Sequence, residues 1–195
     1  MTTLPLPDSQ IDYYPDFLSS VQAHHFFEVF KESLKWEQGF IQLFGIKPEP
    51  RLSCWYGDSE AVYTYSQKKM FPLPWTTELL ELKHEIESQT GQQFNSVLCN
   101  LYRDGNDSMG WHSDNEPELG LNPVIASVSL GQVRKFRFKH KSLKRNTHSL
   151  SLESGSLLLM SGSTQEYWLH EIPKEPKILG ARINLTFRFI IPKTK

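Results

Sequence analysis

The sequence has few of the features that mark secreted, membrane-spanning or disulfide-stapled proteins. Its 195 residues include two cysteines, Cys54 and Cys99, which form no metal-binding pattern and suit a reducing compartment. No apolar run approaches the roughly 18 residues of a membrane span, and the N-terminus lacks the charged-then-apolar order of a signal peptide. We therefore expect residues 1–195 to form a single domain. We expect it to be monomeric, without membrane contact, and cytoplasmic, or nuclear if the source is a eukaryote.

Acidic residues are missing from one long stretch of the chain. Between Leu119 and Leu152 there is no Asp or Glu, but there are seven Lys or Arg. The formal net charge is −1, so the rest of the chain is acidic overall. A basic patch on an acidic body can attract a polyanion locally.

The spacing of apolar residues predicts helices early and strands late. Helices are predicted from Leu18 to Leu34 and from Pro74 to about Thr90, with Pro74 in the first turn and Gly91 as the C-terminal cap. Strands are predicted at 96–102, 124–130, 134–141, 149–153, 156–160 and 182–191. Short connections between strands that follow helices predict a mainly β protein with flanking helices, an antiparallel sandwich or jelly roll.

The last predicted strand carries an unusual set of polar residues on one face. Because side chains alternate along a strand, Arg182, Asn184, Thr186 and Arg188 share one face, opposite the face of Ile183, Leu185, Phe187 and Phe189. Taken alone, this pattern also fits a surface strand with its polar face in water. Asn100 and Tyr102 share a face of a second strand in the same way.

Three further residues form a candidate metal site: His112, Asp114 and His170. Separately, they fit a turn histidine, a loop carboxylate and a hydrogen-bonded buried histidine. Together they match the two-histidine, one-carboxylate set of non-haem Fe(II) oxygenases, which leaves positions open for a chelating cosubstrate and O2. Arg182, twelve residues after His170, could grip a carboxylate of that cosubstrate through two parallel hydrogen bonds.

These segments resemble the signature of the AlkB family of Fe(II)/2-oxoglutarate dioxygenases. The resemblance covers about Gly39 to Pro192 and rests on residues 100–102, 112–114, His170 and the string from Arg182 to Arg188. It implies a double-stranded β-helix, with N-terminal helices and a nucleotide-recognition lid over about 1–93 and a catalytic core over about 94–192.

The resemblance also implies a role for each polar residue of the motif. His112, Asp114 and His170 would bind Fe(II). Arg182 would pair with the distal carboxylate of 2-oxoglutarate, helped by Tyr102 and Asn184. The residues near the metal-binding end of 2-oxoglutarate would be Asn100 and Arg188.

The nearer resemblance is to the DNA-repair branch that acts on duplex DNA. The implied reaction removes N-methyl groups from 1-methyladenine and 3-methylcytosine and releases formaldehyde, succinate and CO2. The lid residues expected to contact the flipped base are Arg51, Tyr63, Tyr65 and Ser66. The two tyrosines alternate on one strand face and fit an aromatic wall over a base, although ordinary packing would use the same pattern.

Three other features bear on the substrate. Phe44, beside Gly45, fits an apolar wedge inserted into the base stack, or equally a packed hairpin residue. Basic residues alternate with inward-facing aromatic ones over 134–141, as in a phosphate-binding ribbon or a solvated sheet face. Glu116 could favour a cationic methylated base or be a solvated loop acid. Asn115 beside it stands where related enzymes carry an acid, which leaves the preferred base open.

We therefore predict an enzyme that repairs alkylated DNA with Fe(II), 2-oxoglutarate and O2. Two alternatives stay open: the same chemistry on RNA or on a non-nucleic substrate, and a nucleic-acid-binding module whose iron site is vestigial.

Overall fold

The computed structural model describes residues 1–42, 45–65 and 68–192. The helices of these residues are α1 (Ser20–Ser33), α2 (Thr77–Thr90) and α3 (Thr164–Tyr167). The strands are β1 (Thr2–Thr3), β2 (Gln10–Tyr14), β3 (Glu37–Gln42), β4 (Ile46–Gly57), β5 (Tyr63–Tyr65), β6 (Lys68–Met70), β7 (Ser96–Tyr102), β8 (Met109–His112), β9 (Ile125–Gly131), β10 (Arg134–His140), β11 (Thr147–Leu152), β12 (Ser156–Ser161), β13 (Trp168–Ile172) and β14 (Arg182–Arg188).

Two antiparallel sheets build the body of the protein. The large sheet has the strand order β1-β2-β12-β9-β14-β7-β4-β3, and the small sheet has the order β11-β10-β13-β8. Strands β5 and β6 form a separate hairpin. The predicted jelly roll, mainly β with flanking helices, is confirmed.

Two apolar layers hold these parts together. The outer layer joins α1 and α2 to one face of the large sheet, through Phe30, Leu82 and Phe187 among others. The inner layer fills the space between the two sheets, with Phe138 and Trp168 at its centre. All five side chains are fully buried, and α1 and α2 flank the large sheet on one face.

Strand β14 lies in the middle of the large sheet, between β7 and β9. Its register places Arg182 opposite Tyr102 and Asn184 opposite both Asn100 and Ser129. The polar face predicted from the alternation therefore points into the space between the sheets. The expectation for Phe189 is wrong: the strand ends at Arg188, and Phe189 is half exposed.

Local capping decides where the helices begin. Helix α1 starts after Ser19, whose side chain forms a capping box with Gln22. Helix α2 starts three residues later than predicted, because the Thr76 hydroxyl accepts a hydrogen bond from the Leu79 amide and caps the helix there. Pro74 thus lies outside the helix, whereas Gly91 caps the other end with a φ of 69°.

The expected order of helices first and strands later is wrong for the first half of the chain. Strands β2, β3 and β4 lie in the first 57 residues and join the large sheet. Strand β4 includes Pro48 and Pro50, residues that argue against a strand because they lack an N–H. The β3–β4 register shifts between Gln38 and Phe40, which places Pro50 in an irregular stretch, whereas Pro48 lies in regular register opposite Phe40.

The longest helices of the described residues have 14 residues. A membrane-spanning helix needs about 20, so none of them could cross a bilayer.

Candidate metal centre

The small sheet brings the three predicted metal ligands together. His112 ends β8 and His170 lies opposite it in β13. Asp114 follows two residues after His112. One potential ligand atom from each residue lies within 4.8 Å of the others. The pairing of β8 with β13 thus brings together His112 and His170, which are 58 residues apart in the sequence.

Neighbouring groups orient each of these side chains. The carbonyl of Gly110 lies 2.8 Å from His112 Nδ1. Since a carbonyl only accepts, neutral His112 carries its proton on Nδ1 and leaves Nε2 free as a ligand. Arg188 donates a hydrogen bond to Asp114 Oδ1, and the ring of Phe136 stacks on that of His170 at 5.2 Å.

The protonation states suit metal binding. Burial lowers the pKa of His170 to about 3, assisted by His112 and opposed by Asp114. Burial alone would raise the pKa of Asp114, but the nearby Arg188, His170 and His112 lower it below its ordinary value. A neutral imidazole beside an ionised carboxylate is the state in which both can coordinate a cation.

A cavity of about 150 Å³ opens beside this cluster, between the two sheets. Its lining includes the three candidate ligands and most of the other predicted site residues, namely Arg51, Asn100, Tyr102, Glu116, Asn184 and Arg188. Arg182 does not line the cavity, but it contacts two residues that do: Asn184, through a hydrogen bond, and the ring of Tyr102.

The Arg182 guanidinium is fully buried and only partly satisfied. Its Nη2 donates to Ser129 Oγ at 2.9 Å and to Asn184 Oδ1 at 2.8 Å. Its Nε and Nη1 have no hydrogen-bond partner among the described residues. Burial lowers the pKa of Arg182 to about 10; Tyr102 opposes this effect and Arg134 adds to it. A buried cation with two free donors fits an anionic ligand such as a carboxylate.

Comparison with known proteins agrees with this geometry. Residues 10–188 match the 2OG-Fe(II) oxygenase superfamily. The chain belongs to this superfamily. The predicted AlkB resemblance is confirmed by curated relatives, and with it the prediction of a dioxygenase that depends on Fe(II) and 2-oxoglutarate.

Two relatives and one solved structure show how far the similarity extends. The oxygenase is 41% identical over 202 residues to the alpha-ketoglutarate-dependent dioxygenase alkB homolog 3 of Rattus norvegicus, which covers 96% of this chain and 66% of the relative. It is 36% identical over 189 residues to the DNA oxidative demethylase ALKBH2 of Homo sapiens, covering 91% and 72%. The chain thus spans about two thirds of the length of such relatives. The solved structure of OsALKBH1 shares the fold, with a TM-score of 0.61, 19% identity and coverage of 91% and 97%.

Two predicted substrate contacts lie at the cavity of this oxygenase. Arg51 is buried, donates to Asn100 Oδ1 at 2.8 Å and pairs with Glu49 at 3.2 Å. Glu116 lines the cavity, and its Oε2 is buried without a hydrogen-bond partner among the described residues.

The remaining substrate predictions concern the lid and the basic strand. Tyr63 and Tyr65 belong to β5, whereas Phe44 and Ser66 lie outside the described residues. In β10 the predicted alternation is present: the exposed basic residues are Lys135, Arg137 and Lys139, and the buried residues are Arg134, Phe136, Phe138 and His140.

Sequence reasoning missed several residues that shape the site. Gln165, from α3, accepts a hydrogen bond from the Asp114 amide at 2.9 Å and so fixes the backbone that carries this ligand. Ser127 donates to Asn184 Oδ1 at 2.9 Å. No sequence pattern near Gln165 or Ser127 predicts these contacts, because each contact joins residues more than 50 positions apart. For Phe136 such a pattern exists, since the alternation in β10 predicts that its ring faces inward.

Proposed function

We propose that this chain oxidatively demethylates alkylated bases in DNA, with 1-methyladenine and 3-methylcytosine as substrates and formaldehyde, succinate and CO2 as products. One observation carries the proposal: a His-Asp-His cluster lies at a cavity next to a buried guanidinium with two free donors. The cluster fits Fe(II), and the guanidinium fits the distal carboxylate of 2-oxoglutarate.

Bound iron and 2-oxoglutarate, with O2, supply the oxidising chemistry that converts an N-methyl group into formaldehyde. His112, Asp114 and His170 would hold the metal, and Arg188 keeps Asp114 ionised and oriented. Arg182 would hold the distal carboxylate, with Tyr102 and Asn184 beside it. The apolar ring of Phe136 shields His170 from water on one side.

The proposed substrate is a methylated base because of the charge at the cavity. Methylation at N1 of adenine or N3 of cytosine makes the base cationic near neutral pH. The free oxygen of Glu116 supplies a buried acceptor for such a cation. The buried Arg51 also lines the cavity, so part of the predicted lid borders it.

A nucleic acid is the proposed polymer, and the name of one relative favours DNA over RNA. A relative of the chain carries the name DNA oxidative demethylase. The exposed basic side chains of β10 form a ribbon that can lie along phosphates. The proposal has four finer parts. The substrate is duplex DNA with a flipped base, and the residues that contact it are Phe44, Tyr63, Tyr65 and Ser66. The protein acts as a monomer, in the cytoplasm or the nucleus.

The proposal is tested by formaldehyde release from oligonucleotides that carry one 1-methyladenine, presented as single-stranded DNA, duplex DNA and RNA. His112→Ala should abolish release, and His84→Ala, which changes an exposed histidine of α2, should leave it unchanged. Formaldehyde release from the RNA oligonucleotide alone would mean that the substrate is RNA and not DNA. Turnover of 2-oxoglutarate that no nucleic acid stimulates would point to a non-nucleic substrate. Oligonucleotide binding without any turnover would indicate a vestigial iron site.

A further inference from the structure

Arg134 is a third buried arginine, besides Arg182 and Arg51, and it has no place in the proposed ligand set. It is 1% exposed, although the other cationic side chains of β10 face solvent. Its Nε donates to Glu175 Oε2 at 3.2 Å, and its Nη1 donates to the Asp104 carbonyl at 3.0 Å. Its Nη2 donates to the carbonyls of Asp107 at 2.9 Å and Pro173 at 2.7 Å. Every nitrogen of the Arg134 guanidinium therefore donates at least one hydrogen bond.

These acceptors lie in two loops that touch each other. One loop joins β7 to β8, and the other joins β13 to β14. The Gly105 amide donates to the Ile178 carbonyl, and the Glu175 amide donates to the Gly105 carbonyl, both at 2.8 Å. A Cβ on Gly105 would lie 1.9 Å from the Glu175 carbonyl oxygen, so only glycine allows this approach. The strands joined by the two loops carry Tyr102, His112, His170 and Arg182.

Arg134 also contacts Tyr102, a residue proposed to lie beside the cosubstrate. Its Cζ lies 5.8 Å from the centre of the Tyr102 ring, and the Cζ of Arg182 lies 5.2 Å from the same centre. Attraction between a guanidinium and an aromatic face links all three side chains. The hydrogen bonds to Ser129 and Asn184 restrain only the Nη2 of Arg182, so contact with the Tyr102 side chain helps to set the direction of Nε and Nη1.

We propose that Arg134 is a positioning residue that fixes Tyr102 and, through it, the free donors of Arg182, so that the pocket selects a keto diacid over a keto monoacid. The inference rests on the proposed function, because it assumes that a carboxylate binds at Arg182. It adds a residue that touches neither metal nor cosubstrate.

The test compares two ligands that differ only at the distal end. 2-Oxoglutarate and 2-oxobutanoate, which lacks the distal carboxylate, are titrated by calorimetry into anaerobic metal-loaded protein. Arg134→Met should raise the dissociation constant of 2-oxoglutarate about tenfold, or ~1.4 kcal/mol. Arg134→Lys, which keeps the charge but not the planar guanidinium, should raise this dissociation constant several-fold. Neither variant should change the affinity for 2-oxobutanoate or for the metal.

Arg103→Met is the matched control. Arg103 belongs to the β7–β8 loop and stabilises it through two hydrogen bonds of 2.8 Å to the Asp107 carboxylate, but its side chain is half exposed and makes no ring contact with Tyr102 among the described residues. This variant should bind both keto acids as the unmodified protein does.

Each outcome decides a different claim. Equal weakening of both keto acids, or no weakening, in a folded Arg134 variant would overturn the positioning role and leave the proposed function standing. If the unmodified protein does not prefer 2-oxoglutarate, the carboxylate site at Arg182 fails, and the positioning role fails with it. If Arg134→Met loses its cooperative melting transition, Arg134→Lys decides.

Discussion

Replacing Arg182 by methionine separates stability from ligand binding. At neutral pH the buried guanidinium is charged, and the lowering of its pKa to about 10 corresponds to a cost of ~3 kcal/mol in the folded state. Because the folded pKa is depressed, this penalty applies at every pH below about 10 and disappears only as Arg182 loses its proton. Methionine has a similar length and removes the penalty. It also loses the bonds that the charged guanidinium donates to Ser129 and Asn184, worth about 1.5–3 kcal/mol each.

These opposing terms predict that the ligand-free Arg182→Met protein loses at most about 3 kcal/mol of its free energy of unfolding. Binding of 2-oxoglutarate should suffer strongly. The two free donors would form charge-assisted hydrogen bonds of about 1.5–3 kcal/mol each. At 1.4 kcal/mol per tenfold, their loss raises the dissociation constant by roughly 10²–10⁴.

Thermal denaturation of the anaerobic, metal-loaded protein measures both effects. At a 2-oxoglutarate concentration 100 times its dissociation constant, the unmodified protein gains about 2.7 kcal/mol, whereas Arg182→Met should gain almost nothing. Arg137→Met, which changes an exposed arginine paired with Glu171, should keep the gain. An undiminished gain in Arg182→Met would show that the distal carboxylate binds elsewhere.

Three further predictions address the metal, the base and the duplex. Asp114→Ala should weaken Fe(II) binding and abolish formaldehyde release, since it removes the one anionic ligand; retained iron stoichiometry by elemental analysis would refute the ligand assignment. Glu116→Gln should lower kcat/KM roughly tenfold, or ~1.4 kcal/mol, for the cationic 1-methyladenine and little for a neutral etheno-adenine; equal losses would make Glu116 structural. Phe44→Ala should reduce activity on duplex DNA more than on single strands, and equal reductions would make Phe44 a packing residue.

The features that the sequence predicted well are local ones. The alternation in β14 predicted which side chains share the inter-sheet face, because the period of a strand is a property of a few consecutive residues. The cap at Gly91 follows in the same way from one residue that tolerates a positive φ. Neither prediction depends on residues that are far away in the sequence.

The features that the sequence missed depend on distant partners. Arg134 lies among basic residues that face solvent, and only the carbonyls of two distant loops explain its burial. Pro50 disfavours a strand by itself, and only the irregular pairing with β3 explains its place in β4. Arg51, expected only at the base, also binds Asn100, expected only at the cosubstrate. Such pairings are properties of the folded sheet and not of any single segment.

The charges at the cavity favour binding of metal and cosubstrate together. Asp114 and Arg188 neutralise each other through their hydrogen bond. Arg51 is paired with Glu49, and Arg182 and Glu116 add one further basic and one further acidic group, each with free polar atoms. Fe(II) adds two positive charges and 2-oxoglutarate adds two negative ones. Either ligand alone therefore gives the buried site a net charge, whereas the two together do not.

Thermodynamic linkage then requires that each ligand raise the affinity of the other by the same factor. Metal titrations with and without 2-oxoglutarate should show this factor, and metal affinity independent of 2-oxoglutarate would mean that the two ligands do not share this cavity.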